Sequence, residues 1–158
     1  MDIEHLQTFR ERHPSLRGET FLHDRFIVIV AADDPWHERS RVQVQDLAVR
    51  RLLMREHGAG TRAFVDAALR AAGIHPMEML EVASLEALKR MAEAGVGVAV
   101  VPRIAVEREA AEGRLRALEL DVPGNRLAYR LLWHKDKPPA PGVALFRDVM
   151  GLRRQASA

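Results

Sequence analysis

Apolar and polar positions along the chain change period repeatedly, and the changes divide it into elements. Between Ile3 and Arg12 the apolar residues Ile3, Leu6 and Phe9 recur every third position, which places them on one helical face. Asp2 can cap that helix, and His13-Pro14 ends it, because proline disfavours helical backbone in the residue before it. Ser15–Thr20 is polar, contains Gly18 and reads as a connector. Phe21–Ala32 reads as a strand, and its unbroken apolar part from Phe26 predicts burial on both faces of a sheet covered by helices. Asp33-Asp34-Pro35 breaks the strand, Trp36-His37 lies in a loop, and Val44–Val49 fits a helical turn or two.

The stretch LLMREHGAGTRAFVDAALRAAG, Leu52 to Gly73, organises the rest. A short strand (Leu52–Met54) runs into a charged, glycine-bearing turn (Arg55–Gly60), and a helix follows from Thr61 to Gly73. Further on, Met77–Val82 predicts a strand, and a helix opens at Ser84 with the stripe Leu85, Leu88, Met91 and Ala92 before Gly95 ends it. Val96–Val101 is a short buried strand, and Pro102 leads into a short helix (Ala105–Glu112). Strands at Leu115–Leu120 and Leu127–Trp133, a proline-rich loop (Lys135–Pro141), an amphipathic helix (Val143–Leu152) and a frayed tail (Arg153–Ala158) follow.

Alternation of strand and helix from residue 21 to 112 predicts an α/β sheet with parallel connections. Such sheets hold ligands beyond the carboxyl ends of their strands, near helix N-termini. Two junctions of that kind occur, Gly58–Arg62 and Ala83–Leu85. Glycines there let backbone N–H groups approach a guest, the first helical turn has unpartnered donors, and Arg62 adds positive charge. A small anionic or carbonyl-bearing ligand fits that chemistry. An ordinary role stands beside the functional one at each position: Thr61 and Ser84 as helix caps, Arg62 as a solvated charge, Gly97 as a packing residue.

Composition narrows the function classes. The 158 residues are 47% hydrophobic and 29% charged, an ordinary globular balance. A net charge of +2 is too small to argue for direct nucleic-acid binding, and arginines interleaved with acids form no basic stripe. Without cysteine there are no disulfides or thiolate metal sites, and the seven histidines lack the spacing of a metal motif, so neither metal nor cofactor is expected. Asp33-Asp34 reads as a turn former rather than a cation site. No GxSxG, phosphate-loop or dinucleotide motif occurs, which disfavours an enzyme. With neither a secretory signal nor an apolar run of about 18 residues, the chain reads as cytoplasmic, with no membrane partner.

Several stretches resemble one family. IVIVAADDPWH (27–37), DLAVRRLLMREHGAGTRAFVDAALRAAGIHP (46–76), EVASLEALKRMAEAGVGVAVVP (81–102), EGRLRALEL (112–120) and YRLLWHKDKP (129–138) are similar to the effector-binding domain of LysR-type transcriptional regulators. The resemblance implies a fold like periplasmic binding proteins, with two α/β lobes, two crossing strands and an effector cleft between the lobes. By position, Gly58, Gly60, Thr61, Arg62 and Ser84 would line that cleft, with the Gly97-Val98 strand edge nearby.

The pattern also departs from the family. Only MDIEHLQTF looks like the opening of a DNA-binding domain, FRERHPSLR looks like the end of the effector domain's first helix, and the chain then passes directly to Glu19-Thr20-Phe21. The expected architecture is therefore one nearly complete α/β lobe (about 34–110) plus a partial first lobe (21–33 and 111–150), after an N-terminal helix and connector (1–20) and before a tail (151–158). An incomplete lobe leaves strand edges open, which predicts a homodimer and weakened effector affinity. DNA contact would need a helix-turn-helix not present in this chain. The alternatives are a stand-alone solute-binding module, an enzyme on a similar scaffold, and a non-functional remnant that dimerises with intact relatives.

Overall fold

The computed structural model describes residues 13–137 and 141–150. The helix predicted at Ile3–Arg12 and the tail Arg153–Ala158 lie outside the described residues. β1 (Leu16–Asp24) and β2 (Phe26–Ala31) come first, then β3 (Arg41–Gln43), a 3-10 segment (Val44–Val49), β4 (Arg51–Arg55) and α1 (Gly60–Ala71). β5 (Glu78–Val82), α2 (Leu85–Glu93), β6 (Val98–Pro102), a second 3-10 segment (Arg103–Val106) and α3 (Glu107–Ala111) follow. β7 (Leu115–Asp121), β8 (Leu127–His134) and α4 (Pro141–Val149) complete the described chain.

The chain forms two compact units, a larger one from Asp24 to Asn125 and a smaller one from Met1–His23 with Arg126–Ala158. The larger unit is built on a six-stranded sheet in the order β3-β7-β2-β6-β4-β5. The α/β class is as expected, but the sheet is mixed rather than parallel throughout. β4 runs parallel to β5 and β6, β3 is parallel to β7, and β2 is antiparallel to both β6 and β7. The cause is the direction of entry: β2 starts at Phe26 beside Pro102, at the edge where β6 ends.

The boundaries read from the sequence shift accordingly. Strands β2 and β7, expected in the partial first lobe, are interior strands of the larger unit's sheet. The single strand expected at Phe21–Ala32 is two strands in two sheets, interrupted at Arg25, where the Asp24 carboxylate accepts from the Arg25 N–H (2.8 Å) and the Ile104 N–H (3.2 Å). The expected connector Ser15–Thr20 belongs mostly to β1. Gly18 there serves close packing rather than a turn, since a Cβ would meet the Leu132 side chain at 2.5 Å.

Every residue of β2 is buried, as its continuous apolar run predicts. Its side chains alternate between two helix-covered faces. Phe26 stacks on Phe64 of α1 with ring centroids 4.2 Å apart, whereas Ile27 and Ile29 pack with Leu88 and Ala92 of α2, together with Leu53, Ala99 and Val101. Burying each such side chain stabilises the fold by about 1.5–3 kcal/mol. The opposite placement of α1 and α2 follows from handedness. The chain moves outward from β4 to β5 and then back past β4 to β6, and both connections can be right-handed only if their helices lie on opposite faces.

Two polar clusters hold the surrounding segments. Asp34, buried just after β2, accepts from the Trp36 N–H (2.8 Å) and from Arg50 Nη1 (3.1 Å), and Arg50 lies over the Trp36 ring at 4.5 Å. Burial alone would raise the Asp34 pKa, but the bonds from Arg50 and Trp36 outweigh it and hold it below the usual value. Lys89 on α2 reaches Glu109 on α3 at 2.8 Å and Glu86 at 2.7 Å, and donates to the Ala105 carbonyl at 3.1 Å.

The smaller unit contains a two-stranded sheet of β1 and β8. Phe21 meets the rings of Tyr129 (6.3 Å) and Phe146 on α4 (6.2 Å, edge-on), and Arg147 pairs with Glu19 at 2.7 Å beneath Trp133.

Candidate site at the carboxyl ends of β4 and β5

Strands β4 and β5 are adjacent and parallel, with Arg55 beside Val82 at their carboxyl ends. Each then enters a helix, and the two helices go to opposite faces of the sheet. Open α/β sheets hold ligands beyond the carboxyl ends of their strands, near helix N-termini. Both junctions named from the sequence, Gly58–Arg62 and Ala83–Leu85, therefore stand at one edge of the sheet.

The two helix starts differ in how their donors are satisfied. α2 is capped: Ser84 Oγ accepts from the Ala87 N–H at 3.3 Å. α1 begins one residue earlier than expected, with Ala59 at the N-cap and no side-chain cap. Thr61 is thus a first-turn residue rather than a cap, and the N–H groups of Gly60, Thr61 and Arg62 precede the first intrahelical bond, from the Ala63 N–H to the Ala59 carbonyl (3.1 Å). Gly58, with a φ of +95°, makes the turn that brings the chain to this start. Gly58, Gly60 and Ser84 are exposed, and Thr61 is half-buried.

Arg62 does not project freely toward a guest. Its Nε donates to Asp66 one turn along (2.9 Å), and its Nη1 donates to Glu81 on β5 and to the Arg55 carbonyl, each at 3.2 Å. It ties loop, helix and neighbouring strand into one body. Arg55 is likewise engaged, in a two-pronged contact with Glu56 (2.7 Å for each bond). That hydrogen bonding raises the Arg55 pKa and holds the Glu56 carboxyl below its usual range. Two arginines here stand against the carboxylates of Glu56, Asp66 and Glu81, so the edge carries no excess positive field. What it offers an acceptor is oriented backbone N–H groups and the positive end of the α1 dipole.

Gly97 and Val98 are not brought to this edge. Val98 pairs with Leu52 at the amino ends of β6 and β4, the opposite end of the strands from Arg55. A Cβ at Gly97 would lie 2.6 Å from the Arg51 carbonyl oxygen, and Val98 is fully buried, so both serve packing. The expectation that they sit near the other candidate residues is corrected by the direction of β6. Glu81, conversely, escapes a reading from the sequence, because only the pairing of β5 with β4 brings it to Arg62. The Arg62–Asp66 pair was readable from its four-residue spacing.

Residues 5–153 match the LysR substrate binding domain family. The chain belongs to that family. Among relatives of this LysR-family domain, YwqM of Bacillus subtilis, an uncharacterized HTH-type transcriptional regulator, is 30% identical over 151 residues, covering 94% of this chain and 50% of its own. The HTH-type transcriptional regulator CbbR of Xanthobacter flavus is 37% identical over 112 residues, covering 68% of this chain and 34% of its own. The chain thus spans half the length of one of these relatives and a third of the other. The Synechocystis PCC6803 CcmR regulatory domain in complex with 2-PG superposes with a TM-score of 0.75 at 25% identity, over 91% of this chain and 70% of that one. The QuiR effector-binding domain in complex with shikimate gives 0.71 at 19% identity, over 89% and 66%, a likeness of fold. The LysR-family domain accordingly has the periplasmic-binding-protein-like α/β architecture that the resemblance implied. Among the described residues no helix is long and apolar enough to cross a membrane.

Proposed function

We propose that this LysR-family domain senses a small molecule through one carboxylate, phosphate or carbonyl group held by the first-turn N–H groups of α1, with the Ser84 junction alongside. The observation that carries this reading is the contrast between the two helix starts. α2 satisfies its donor with Ser84, while α1 reaches the same edge of the sheet with Ala59 at its cap. Gly58, Gly60 and Thr61 shape and flank the acceptor position, and Arg62 is a positioning residue that fixes the loop. The 2-PG complex of the CcmR domain and the shikimate complex of the QuiR domain support the assignment of a small-molecule effector. A guest that favours one arrangement of the two units shifts their population, the form of coupling a regulator needs.

On this reading the domain works in the cytoplasm as part of transcription control, reaches DNA through a helix-turn-helix outside residues 1–158, and is not an enzyme. The hydroxyl of Ser84 is engaged as a cap rather than poised beside a base. Pairing with a second copy is supported by β5, an outer strand on which Met79 and Leu80 are exposed.

Calorimetric titration with inorganic phosphate, acetate and benzoate tests the sensor reading. Saturable heat with at least one probe is expected, and no heat from any of the three would contradict it. Size-exclusion chromatography with light scattering tests the pairing: a dimer is expected, and a monomer persisting at high concentration would contradict it.

A further inference from the structure

The chain passes between its two units twice, at His23–Asp24 and at Asn125–Arg126, and within the larger unit both passages end on one side chain. Asn125 Oδ1 accepts from the Phe26 N–H at 2.8 Å, and Asn125 Nδ2 donates to the Phe26 carbonyl at 2.8 Å and to the Leu120 carbonyl at 3.0 Å. The backbone register of β2 with β7 ends one step earlier, at Ile27 beside Glu119. The amide therefore reproduces, with a side chain, the pair of bonds that one more strand residue would have made to Phe26. Gly124, with a φ of +72°, and the bond from the Asn125 N–H to the Val122 carbonyl (3.2 Å) set the turn that delivers it. On the other side of the entering strand, the Arg103 N–H donates to the Arg25 carbonyl at 3.0 Å and the Ile104 N–H to the Asp24 carboxylate at 3.2 Å.

From this geometry we infer that the Asn125 amide is the rivet of the two crossing segments. It fastens the point of entry at Phe26 to the point of exit after Asn125. Movement of one unit against the other is then taken up outside residues 24–125 rather than by peeling β2 from β7. Alanine at 125 would leave the Phe26 N–H and carbonyl and the Leu120 carbonyl without these partners, and aspartate would set a carboxylate against two carbonyl oxygens. The inference concerns the mechanics of the crossing and stands whether or not the effector reading does.

Because the sequence has no cysteine, spin labels can be introduced cleanly at Arg17→Cys in the smaller unit and Glu107→Cys in the larger. Double electron–electron resonance on that pair, combined with amide hydrogen exchange, tests the rivet. Asn125→Ala is expected to broaden the distance distribution and speed exchange at Phe26 by about tenfold or more, with exchange at Leu53 unchanged. Pro123→Ala, in the same turn with the amide kept, is expected to change neither. Asn125→Ser, a milder loss, is expected to fall between and carries the test if the alanine variant does not fold. An unchanged distance distribution in a variant whose Phe26 protection has fallen would overturn the inference, leaving Asn125 a local contact without mechanical consequence.

Discussion

The two units of the molecule bury their apolar side chains very differently. Every fully buried hydrophobic residue among those described lies between Phe26 and Leu120, in the larger unit. The smaller unit rests on half-buried strands and on a helix whose Leu145 and Val149 are 66% and 76% exposed. Two strands without further partners are marginal alone, whereas a six-stranded sheet covered on both faces is self-sufficient. The difference teaches that the buried core, and with it most of the stability, resides in residues 24–125.

The largest expected effect is the difference in opening free energy between the units. Amides of β2 should exchange only through global unfolding, about 5–15 kcal/mol above the native state, and those of β1 and β8 well below that. Equal protection in β1 and β2 would erase the comparison. Next comes the Lys89–Glu109 pair, whose side chains are only 7% and 6% exposed. Glu109→Ala should destabilise the larger unit by about 2–3 kcal/mol, because the Lys89 ammonium loses its buried carboxylate and keeps only Glu86 and the Ala105 carbonyl.

Titration of the same pair sharpens that test. Hydrogen bonding from Lys89 holds the Glu109 pKa below its usual value, so Glu109's contribution is present at neutral pH and lost as pH falls from about 4 through the depressed folded value. Burial opposes the charge on Lys89, but its bonds to Glu109 and Glu86 outweigh burial and raise its pKa. Its contribution therefore holds below about pH 10.4 and is lost as pH rises through the raised value. Denaturant midpoints across pH should show the acid loss in the parent and a smaller one in Glu109→Ala. A smaller effect, about 1–3 kcal/mol, is expected from Gly97→Ala, where the added Cβ meets the Arg51 carbonyl oxygen. A neutral outcome in chemical denaturation would return Gly97 to the list of ligand-facing positions.

Much of the larger unit was legible in the sequence because burial and period coincide there. The apolar run at 26–31 announced a doubly covered strand, and the stripe Leu85, Leu88, Met91 and Ala92 announced a helix with Ser84 as its cap. β1 was not legible: Gly18 reads as a turn residue, and only the Leu132 side chain packed against it explains a glycine inside a strand. The site was legible in part. The two junctions could be named because glycines and helix periods mark them. That Ala59 rather than Thr61 occupies the cap, that Arg62 is engaged by Glu81, and that Gly97 and Val98 lie at the far end of the sheet all depend on strand order and direction. A linear pattern does not carry those relations. The bonds of Asn125 to Phe26 and Leu120 depend on the same relations.

The most direct test of the α1 site replaces its missing cap. Ala59→Asp supplies a carboxylate to the same first-turn N–H groups that the proposed effector would use. It should stabilise the protein by about 0.5–2 kcal/mol in thermal unfolding and abolish binding of whichever probe the parent takes up in calorimetric titration. A variant that is stabilised yet binds the probe as tightly as the parent would contradict the account, because the guest would then be held somewhere other than the start of α1.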